Sequence, residues 1–577
     1  MSGFLHTLRG KFGSSSDGAA DAASAFAAAA AKPAISTGAM LAPLALAQFI
    51  ASFAGSNMNV AISDIADDLG TTVTGVQTAI TVFTLTMAAL MIPGSKLSDI
   101  WGRKRCFIIG MVVYGIGTVI AALAPTIGVL IIGYSFFEGL GSAFMIPPIY
   151  ILTTVSFTDL KSRAKAFGVI SAAAAMGSAT GPLIGGMITS ATTWRLSFGL
   201  QAVVVLGIIY MSRRIVDHPH EGPKPHFDVV GAILSAAGLV FVVFGILQAG
   251  DYGWIRCRQD YSIGGTVILS QGDISPVILY AAIGVVLLLG FFWHIRSRDR
   301  KGGEPLLSPR VFKNRTSNLG LVTQNIQWLT MLGGFFVISV FLQEARDYSA
   351  IQTGLILTAS TVGVLISGLR AAKMAARFSQ RTLIRAGFVL TIAGFAFLLL
   401  FTNATSNVLL FLPGLFMMGL GVGAMVTASV NVVQSAFGEK DQGEISGLSR
   451  CVSNLGSSFG TAIAGAVLVS ALMSGITTLT NENTTLDPAQ KQDISAAMQH
   501  GVSAVSNTQV EQTLAGQPQA TVDAVVDINA QARNHALALA LLTMGVFALI
   551  GLGAAMLLPA DAGKAPEEPS TAVTLDP

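Results

Sequence analysis

Residues 177–186 read GSATGPLIGG and lie in the middle of a long apolar stretch. Gly177, Gly181 and Gly185 recur at every fourth position, so one stripe of a helix lacks side chains and lets another helix approach closely in lipid. Pro182 removes a backbone donor and can bend the helix at that contact. The stretch therefore predicts a membrane-spanning helix built for close packing, either fixed or part of a conformational switch.

Four glycines of this region recur 279 residues later with the same spacing. The two sets are Gly168, Gly177, Gly181 and Gly186, and Gly447, Gly456, Gly460 and Gly465. This repeat predicts two related six-helix halves, an arrangement typical of transporters in which one half rocks against the other. A chance match among glycine-rich helices is the alternative.

The composition is that of an integral membrane protein. Of 577 residues, 52% are hydrophobic and 11% are charged, whereas a soluble domain carries about 25% charged residues. Cys106, Cys257 and Cys451 are far apart and form no CxxC pair. We therefore expect neither a disulfide framework nor a metal site.

Fourteen segments are long and apolar enough to cross a bilayer, which needs about 20 residues per helix. They are 40–63, 76–98, 106–126, 129–155, 165–189, 196–215, 228–249, 275–295, 316–343, 351–372, 384–403, 408–436, 446–473 and 535–558. The predicted fold class is an all-α integral membrane protein with about fourteen transmembrane helices, comprising two six-helix halves and two inserted central helices.

The Lys and Arg residues predict the orientation, because they concentrate on the cytoplasmic side of membrane proteins. With both termini inside, 28 of the 34 Lys and Arg residues lie in cytoplasmic segments and 6 lie outside. One missed span would reverse every later segment and destroy this bias. The predicted boundaries are a cytoplasmic tail 1–38, a half 39–215, an insertion 216–300, a half 301–559 with a polar outer segment 474–534, and a cytoplasmic tail 560–577.

Residues 95–105, SKLSDIWGRKR, follow the second span. This loop and the 177–186 stretch resemble two signatures of the major facilitator superfamily, the loop G-x-L-A-D-x-x-G-R-K/R and the antiporter motif G-x-x-x-G-P-x-x-G-G. Two inserted central spans resemble its fourteen-span drug:proton antiporter branch. By this resemblance, Asp99, Gly102 and Arg103 form a conformational latch. It also implies that Gly177, Gly181, Pro182, Gly185 and Gly186 govern helix packing during the switch.

Two departures from that branch concern proton coupling. Ala54 stands where the first span usually carries an Asp, and Ser135 replaces the usual Arg of the fourth span. Glu138 replaces the Gln of the same motif, near mid-depth, in a region 106–160 without basic residues. An ionised carboxylate at that depth is costly, so Glu138 is our candidate proton-coupling residue. A permanently protonated packing residue is the alternative.

Several polar or aromatic residues in spans are candidates for lining a cavity or for bonding between helices. They are Asn57, Asn59, Tyr134, Ser142, Gln324, Gln327 and Trp328. Tyr134, Glu138 and Ser142 share one helical face because they are four positions apart.

The resemblance implies a secondary active transporter that exports hydrophobic or amphipathic small molecules, as multidrug efflux pumps do, by proton-coupled alternating access. The same fold could instead move a lipid-like envelope molecule or a metabolite. A channel or a non-transporting membrane sensor is a further alternative, and the repeat and the 177–186 motif disfavour the channel. No catalytic constellation or GxxxxGK[ST] loop indicates an enzyme or direct ATP drive. We expect a monomer in the cell membrane with a small hydrophobic substrate, the proton as coupling ion, no cofactor and no nucleic-acid partner.

Overall fold

The computed structural model describes residues 37–157, 160–215, 226–263, 266–403, 406–437, 442–484, 486–488, 490–491, 517–560 and 562. Most of the predicted tails 1–38 and 560–577, and the middle of the outer segment 474–534, lie outside these residues. The predicted domain boundaries remain a prediction.

Fourteen long helices follow the fourteen predicted spans. The first six are α1 (Thr37–Asn57), α2 (Val73–Trp101), α3 (Arg103–Ala122), α4 (Ile127–Leu130, the π-helical segment Ile131–Glu138 and Gly139–Ser156), α5 (Leu160–Ala191) and α6 (Trp194–Met211). Two more are α7 (Val229–Leu247) and α8 (Pro276–Arg300). The last six are α9 (Arg315–Val340, continued by the π-helical segment Phe341–Ala345), α10 (Ala350–Arg377), α11 (Gln380–Phe401), α12 (Phe411–Gln434), α13 (Gln442–Glu482) and α14 (Gln519–Met556).

The predicted fold class is confirmed. Among the described residues, thirteen helices are long and apolar enough to cross a membrane, and α5, with 32 residues, lies along the remaining predicted span. We call the bundle end at which α1 begins and α14 ends the terminal face, and the other end the opposite face.

Two features of the opposite face differ from the sequence-based reading. Helices α13 and α14 have 41 and 38 residues and extend well past membrane length into the polar segment 474–534. The extensions pack on each other through Leu472, Ile476, Ile528 and Ala532. The loop between α7 and α8 forms an antiparallel hairpin of strands β1 (Tyr261–Ile263) and β2 (Thr266–Leu269).

The helix contacts repeat between the two sets of six. Helix α1 packs on α5 as α9 packs on α13, α3 packs on α4 as α11 packs on α12, and α3 packs on α6 as α11 packs on α14. Two reciprocal contacts join the sets, because α5 packs on α10 and α13 packs on α2. The glycine repeat of the sequence therefore corresponds to equivalent helices.

Helices α7 and α8 pack on each other, and α7 also packs on α2 and α13. Asp228 fixes the start of this pair on the terminal face. Its buried carboxylate accepts hydrogen bonds from the Gly231 backbone NH (3.1 Å), the Leu306 backbone NH (3.1 Å) and pairs with the His294 ring (2.9 Å). Burial raises the pKa of Asp228, but these hydrogen bonds outweigh it and hold the pKa below its usual value.

Candidate functional site

A central cavity lies where the two sets of six helices meet. Its volume, including the open mouth, is about 720 Å³, and α1, α2, α4, α5, α9 and α13 line it. Its apolar lining consists of Ala51, Phe83, Met87, Ile146, Trp328, Met331, Leu332 and Phe335, with Gly55. Its polar lining consists of Gln48, Ser52, Ser56, Thr84, Ser178, Arg450, Ser453, Asn454 and Ser457.

The opposite face is closed between the ends of α1 and α9. The Asn59 carbonyl accepts hydrogen bonds from the hydroxyl of Ser339 and from Nε2 of Gln343, the latter at 3.1 Å. The Ser63 backbone NH donates to Oε1 of Gln343 (3.2 Å), and the Ser63 hydroxyl donates to Oε1 of Glu344 (2.5 Å). We call these five residues the seal.

The span-5 motif has two packing partners. Added Cβ atoms at Gly177, Gly181 and Gly185 would overlap Phe49, Ser56 and Asn57 of α1. One at Gly186 would lie 2.5 Å from the carbonyl oxygen of Ala350 on α10. Further along this contact, the Ile351 backbone NH donates to the Ser190 hydroxyl at 3.0 Å. The motif therefore joins α5 both to its own set of helices and to the other set.

The predicted latch lies on the terminal face, between α2 and α3. Gly102 ends α2 with φ 96° and ψ 137°, a conformation that side chains disfavour, so a glycine is required there. Asp99 is in the last turn of α2 and Arg103 begins α3. The loop is close to α13, because Lys96 is 4.0 Å from Glu444 and a Cβ at Gly447 would lie 3.1 Å from that of Ser95.

Glu138 is buried inside the first set of helices. It ends the π-helical segment of α4, and a Cβ at Gly117 of α3 would lie 2.9 Å from its Cγ. No described residue donates a hydrogen bond of good geometry to either carboxylate oxygen, although the Tyr114 hydroxyl lies close enough to interact with the carboxylate. The neighbouring Tyr114 hydroxyl donates to Oε1 of Gln201 at 2.9 Å.

Glu138 does not line the central cavity. The ring of Tyr134, one turn earlier, stacks on Phe83 with centroids 4.5 Å apart, and Phe83 is part of the lining. The Tyr134 hydroxyl donates to the Ala54 carbonyl at 3.1 Å. Ala54, at the usual Asp position, thus contacts the helix that carries Glu138.

Of the seven predicted lining residues, Trp328 lines the cavity in this conformation and the other six lie outside its lining. Asn57 donates to Ser197 (2.6 Å), Asn59 contributes to the seal, and Tyr134 stacks on Phe83. Gln324 bonds to Ser449 and Ser453 of α13, and Gln327 accepts from Ser429 of α12. The Ser142 hydroxyl is buried and has no hydrogen-bond partner among the described residues.

Arg450 is the residue that sequence reasoning missed. It lies within the predicted span 446–473 and is not among the predicted lining residues, yet it lines the central cavity from α13. Its Nη2 donates to the hydroxyl of Tyr150 on α4, and its guanidinium lies 4.5 Å from the centre of that ring. The sequence feature that could have identified Arg450 is its position near the start of an apolar helix. A long basic side chain there can face the interior as well as reach the membrane surface.

Two six-helix sets that enclose a central cavity define a multi-pass transporter. A family model described as Major Facilitator Superfamily matches residues 44–312 and 321–479. The chain therefore belongs to the Major Facilitator Superfamily, whose members are small-molecule transporters rather than enzymes.

Curated relatives are similar over most of their length. The puromycin resistance protein pur8 of Streptomyces alboniger is 27% identical over 428 residues, which cover 74% of this chain and 80% of pur8. The multidrug resistance protein Stp of Mycobacterium tuberculosis H37Rv is 26% identical, covering 75% of this chain and 76% of Stp. The multidrug efflux pump LfrA of Mycolicibacterium smegmatis is 25% identical, covering 76% and 82%.

Solved structures share the fold. A bacterial homologue of the lysosomal transporter Spinster, in an inward-facing and unoccupied conformation, has a TM-score of 0.57 at 16% identity, with 93% of this chain and 100% of that chain covered. A proton-dependent oligopeptide transporter has a TM-score of 0.54 at 14% identity, with 91% and 100% covered.

Proposed function

We propose that this protein is a secondary active exporter of hydrophobic or amphipathic small molecules and not an enzyme. The central cavity carries the proposal. It lies between two six-helix sets whose mutual contacts can break at one face while they form at the other. Its mixed apolar and polar lining is typical of sites that bind small molecules, and curated relatives are named for drug resistance and efflux.

We propose that the protein is a monomer in the cell membrane and that both of its termini lie in the cytoplasm. The seal then lies at the outer face, so this conformation is closed to the outside. The latch residues Asp99, Gly102 and Arg103 would stabilise the outward-open state, as their motif implies. Gly177, Gly181, Pro182, Gly185 and Gly186 would set the packing of α5 against α1 and α10 during the switch.

We further propose that protons drive the export and that Glu138 binds them. Glu138 is fully buried, and no described residue donates a hydrogen bond of good geometry to its carboxylate oxygens. A buried acid with few hydrogen bonds is costly when ionised and less so when protonated. The stack of Phe83 on Tyr134 would connect the state of Glu138 to the cavity.

The test compares Glu138→Gln with the matched control Glu482→Gln, an exposed acid at the end of α13. Each purified protein is reconstituted in liposomes and a pH gradient is imposed across their membrane. The transport of ethidium, puromycin and 1-pyrenebutyrate is then measured. The wild type and Glu482→Gln should accumulate a probe until a protonophore dissipates the gradient. Glu138→Gln should exchange the probe across the membrane but lose gradient-driven accumulation.

Full gradient-driven accumulation by Glu138→Gln would exclude Glu138 as the coupling site. If the wild type moves none of the probes, and its loss in cells changes envelope lipids without changing drug tolerance, a lipid transporter replaces the exporter.

A further inference from the structure

The charge distribution of the central cavity points to its substrate class. We infer that the cavity binds amphipathic molecules that carry an acidic group, and that Arg450 binds that group. The inference rests on the proposed export function and specifies its substrate.

Among the described residues that line the cavity, Arg450 is the single ionisable one, and none is Asp or Glu. The neighbouring carboxylates on the described elements are engaged elsewhere or separated from the cavity. Glu444, on the same helix, accepts from the Ser308 backbone NH (3.0 Å) and pairs with Lys96 (4.0 Å). Glu138 lies outside the described lining, one turn after Tyr134, whose ring stacks on Phe83. Arg450 therefore gives the cavity a net positive charge.

The guanidinium has unused donors. Nη2 is taken by the Tyr150 hydroxyl, and the Tyr150 ring offsets part of the cost of a cation at this depth. Among the described residues, Nη1 and Nε of Arg450 meet no acceptor. A carboxylate or a similar acid accepts two parallel hydrogen bonds from a guanidinium, and such a pair is stronger than neutral hydrogen bonds.

The rest of the cavity suits the apolar part of such a molecule. Large apolar side chains of the lining come from two helices: Trp328, Met331 and Phe335 of α9, and Phe83 and Met87 of α2. Aromatic rings contribute large apolar contact areas. A ligand with an acidic end at Arg450 and a hydrophobic body against α9 and α2 would use both parts of the lining. A hydrophobic cation would bring a second positive charge to Arg450.

Arg450 also joins α13 to α4, so a purely structural role as a link between the two sets of helices must be distinguished. If Arg450 acts only as a link, its substitution should destabilise this conformation and change the binding of all ligands alike. A binding role makes affinity depend on the charge of the ligand, and reversing the charge of residue 450 should reverse that dependence.

The experiment measures the binding of three probes with one hydrophobic body, 1-pyrenebutyrate, 1-pyrenebutanol and 1-pyrenebutylamine, to the full-length protein in nanodiscs. The variants are Arg450→Gln, Arg450→Lys and Arg450→Glu. Arg370→Gln, an exposed Arg of α10, is the matched control. The same variants are tested for probe transport in liposomes.

The wild type and Arg370→Gln should bind pyrenebutyrate at least about tenfold more tightly than pyrenebutanol, as expected for a charge-assisted pair. Arg450→Gln should keep its affinity for pyrenebutanol and lose the preference. Arg450→Lys should retain part of it, and Arg450→Glu should favour the amine. A wild type that does not prefer the anion, or a preference that survives in Arg450→Gln, overturns the inference. Charge-selective binding without transport of any probe would instead contradict the export function.

Discussion

The contact between α5 and α10 near the opposite face allows a single methyl group to test the proposed alternation. In this conformation a Cβ at Gly354 would lie 3.1 Å from the Pro182 carbonyl carbon, and closer still to its oxygen. Because both partners are helix backbone, relief requires the two helices to separate. Inserting a group into a packed contact costs about 1–3 kcal/mol. If the contact breaks in the outward-open state, that state escapes the cost, and Gly354→Ala shifts the equilibrium about 5- to 150-fold towards it.

The assay reports opening at the seal. A cysteine introduced by Ser63→Cys is labelled with a membrane-impermeant maleimide in intact cells, and the three native cysteines are buried. Gly368→Ala on the same helix is the matched control, because a Cβ there meets nothing within 4 Å. Labelling should be faster in Gly354→Ala by several-fold or more and unchanged in Gly368→Ala. Equal labelling rates in both variants would refute the reasoning that this contact closes the outer face.

Three further changes have defined outcomes. Asp228→Asn should lower the melting temperature in detergent, since its carboxylate pairs with His294. Because the pKa of Asp228 is lowered by folding, the lost stability should be constant above the ordinary Asp pKa of about 3.9 and should shrink as the pH falls below it; a difference that grows in acid would contradict the assignment. Gly102→Ala should cost about 1–3 kcal/mol at the latch turn and slow transport, and an unchanged rate would show that the turn tolerates a side chain. Gln343→Leu removes hydrogen bonds of the seal and should speed labelling at Ser63→Cys, whereas slower labelling would count against its closing role.

The helices were largely predictable because the bilayer imposes a minimum apolar length on each of them. Every predicted span has a helix, and the glycine offset placed equivalent helices in the two sets. The lengths of α13 and α14 were not predictable from hydropathy, because their extensions are stabilised by contacts with each other through residues such as Ile476 and Ile528. The hairpin of β1 and β2 is too short to produce a clear alternating pattern.

The cavity was less predictable than the helices. A polar residue in a span can face a cavity or bond to a neighbouring helix, and the sequence alone does not distinguish the two. Gln324 illustrates the second case, since it bonds to Ser449 and Ser453, while Trp328, four positions later, lines the cavity. The direction of Glu138 towards α3 depends on Gly117, a contact between helices that local spacing does not specify.

The central claim is that the cavity is exposed alternately to the two sides of the membrane, and counterflow tests it most directly. Liposomes containing the wild-type protein are preloaded with an unlabelled probe of the transport panel and diluted into a trace of the same probe in radiolabelled form, without any ion gradient. Alternating access predicts a transient accumulation of label above equilibrium, because unlabelled molecules occupy the cavity on the inside and slow the return of label. A monotonic approach to equilibrium at the same rate with and without preloading would contradict the account, since it would indicate a continuous path through the protein.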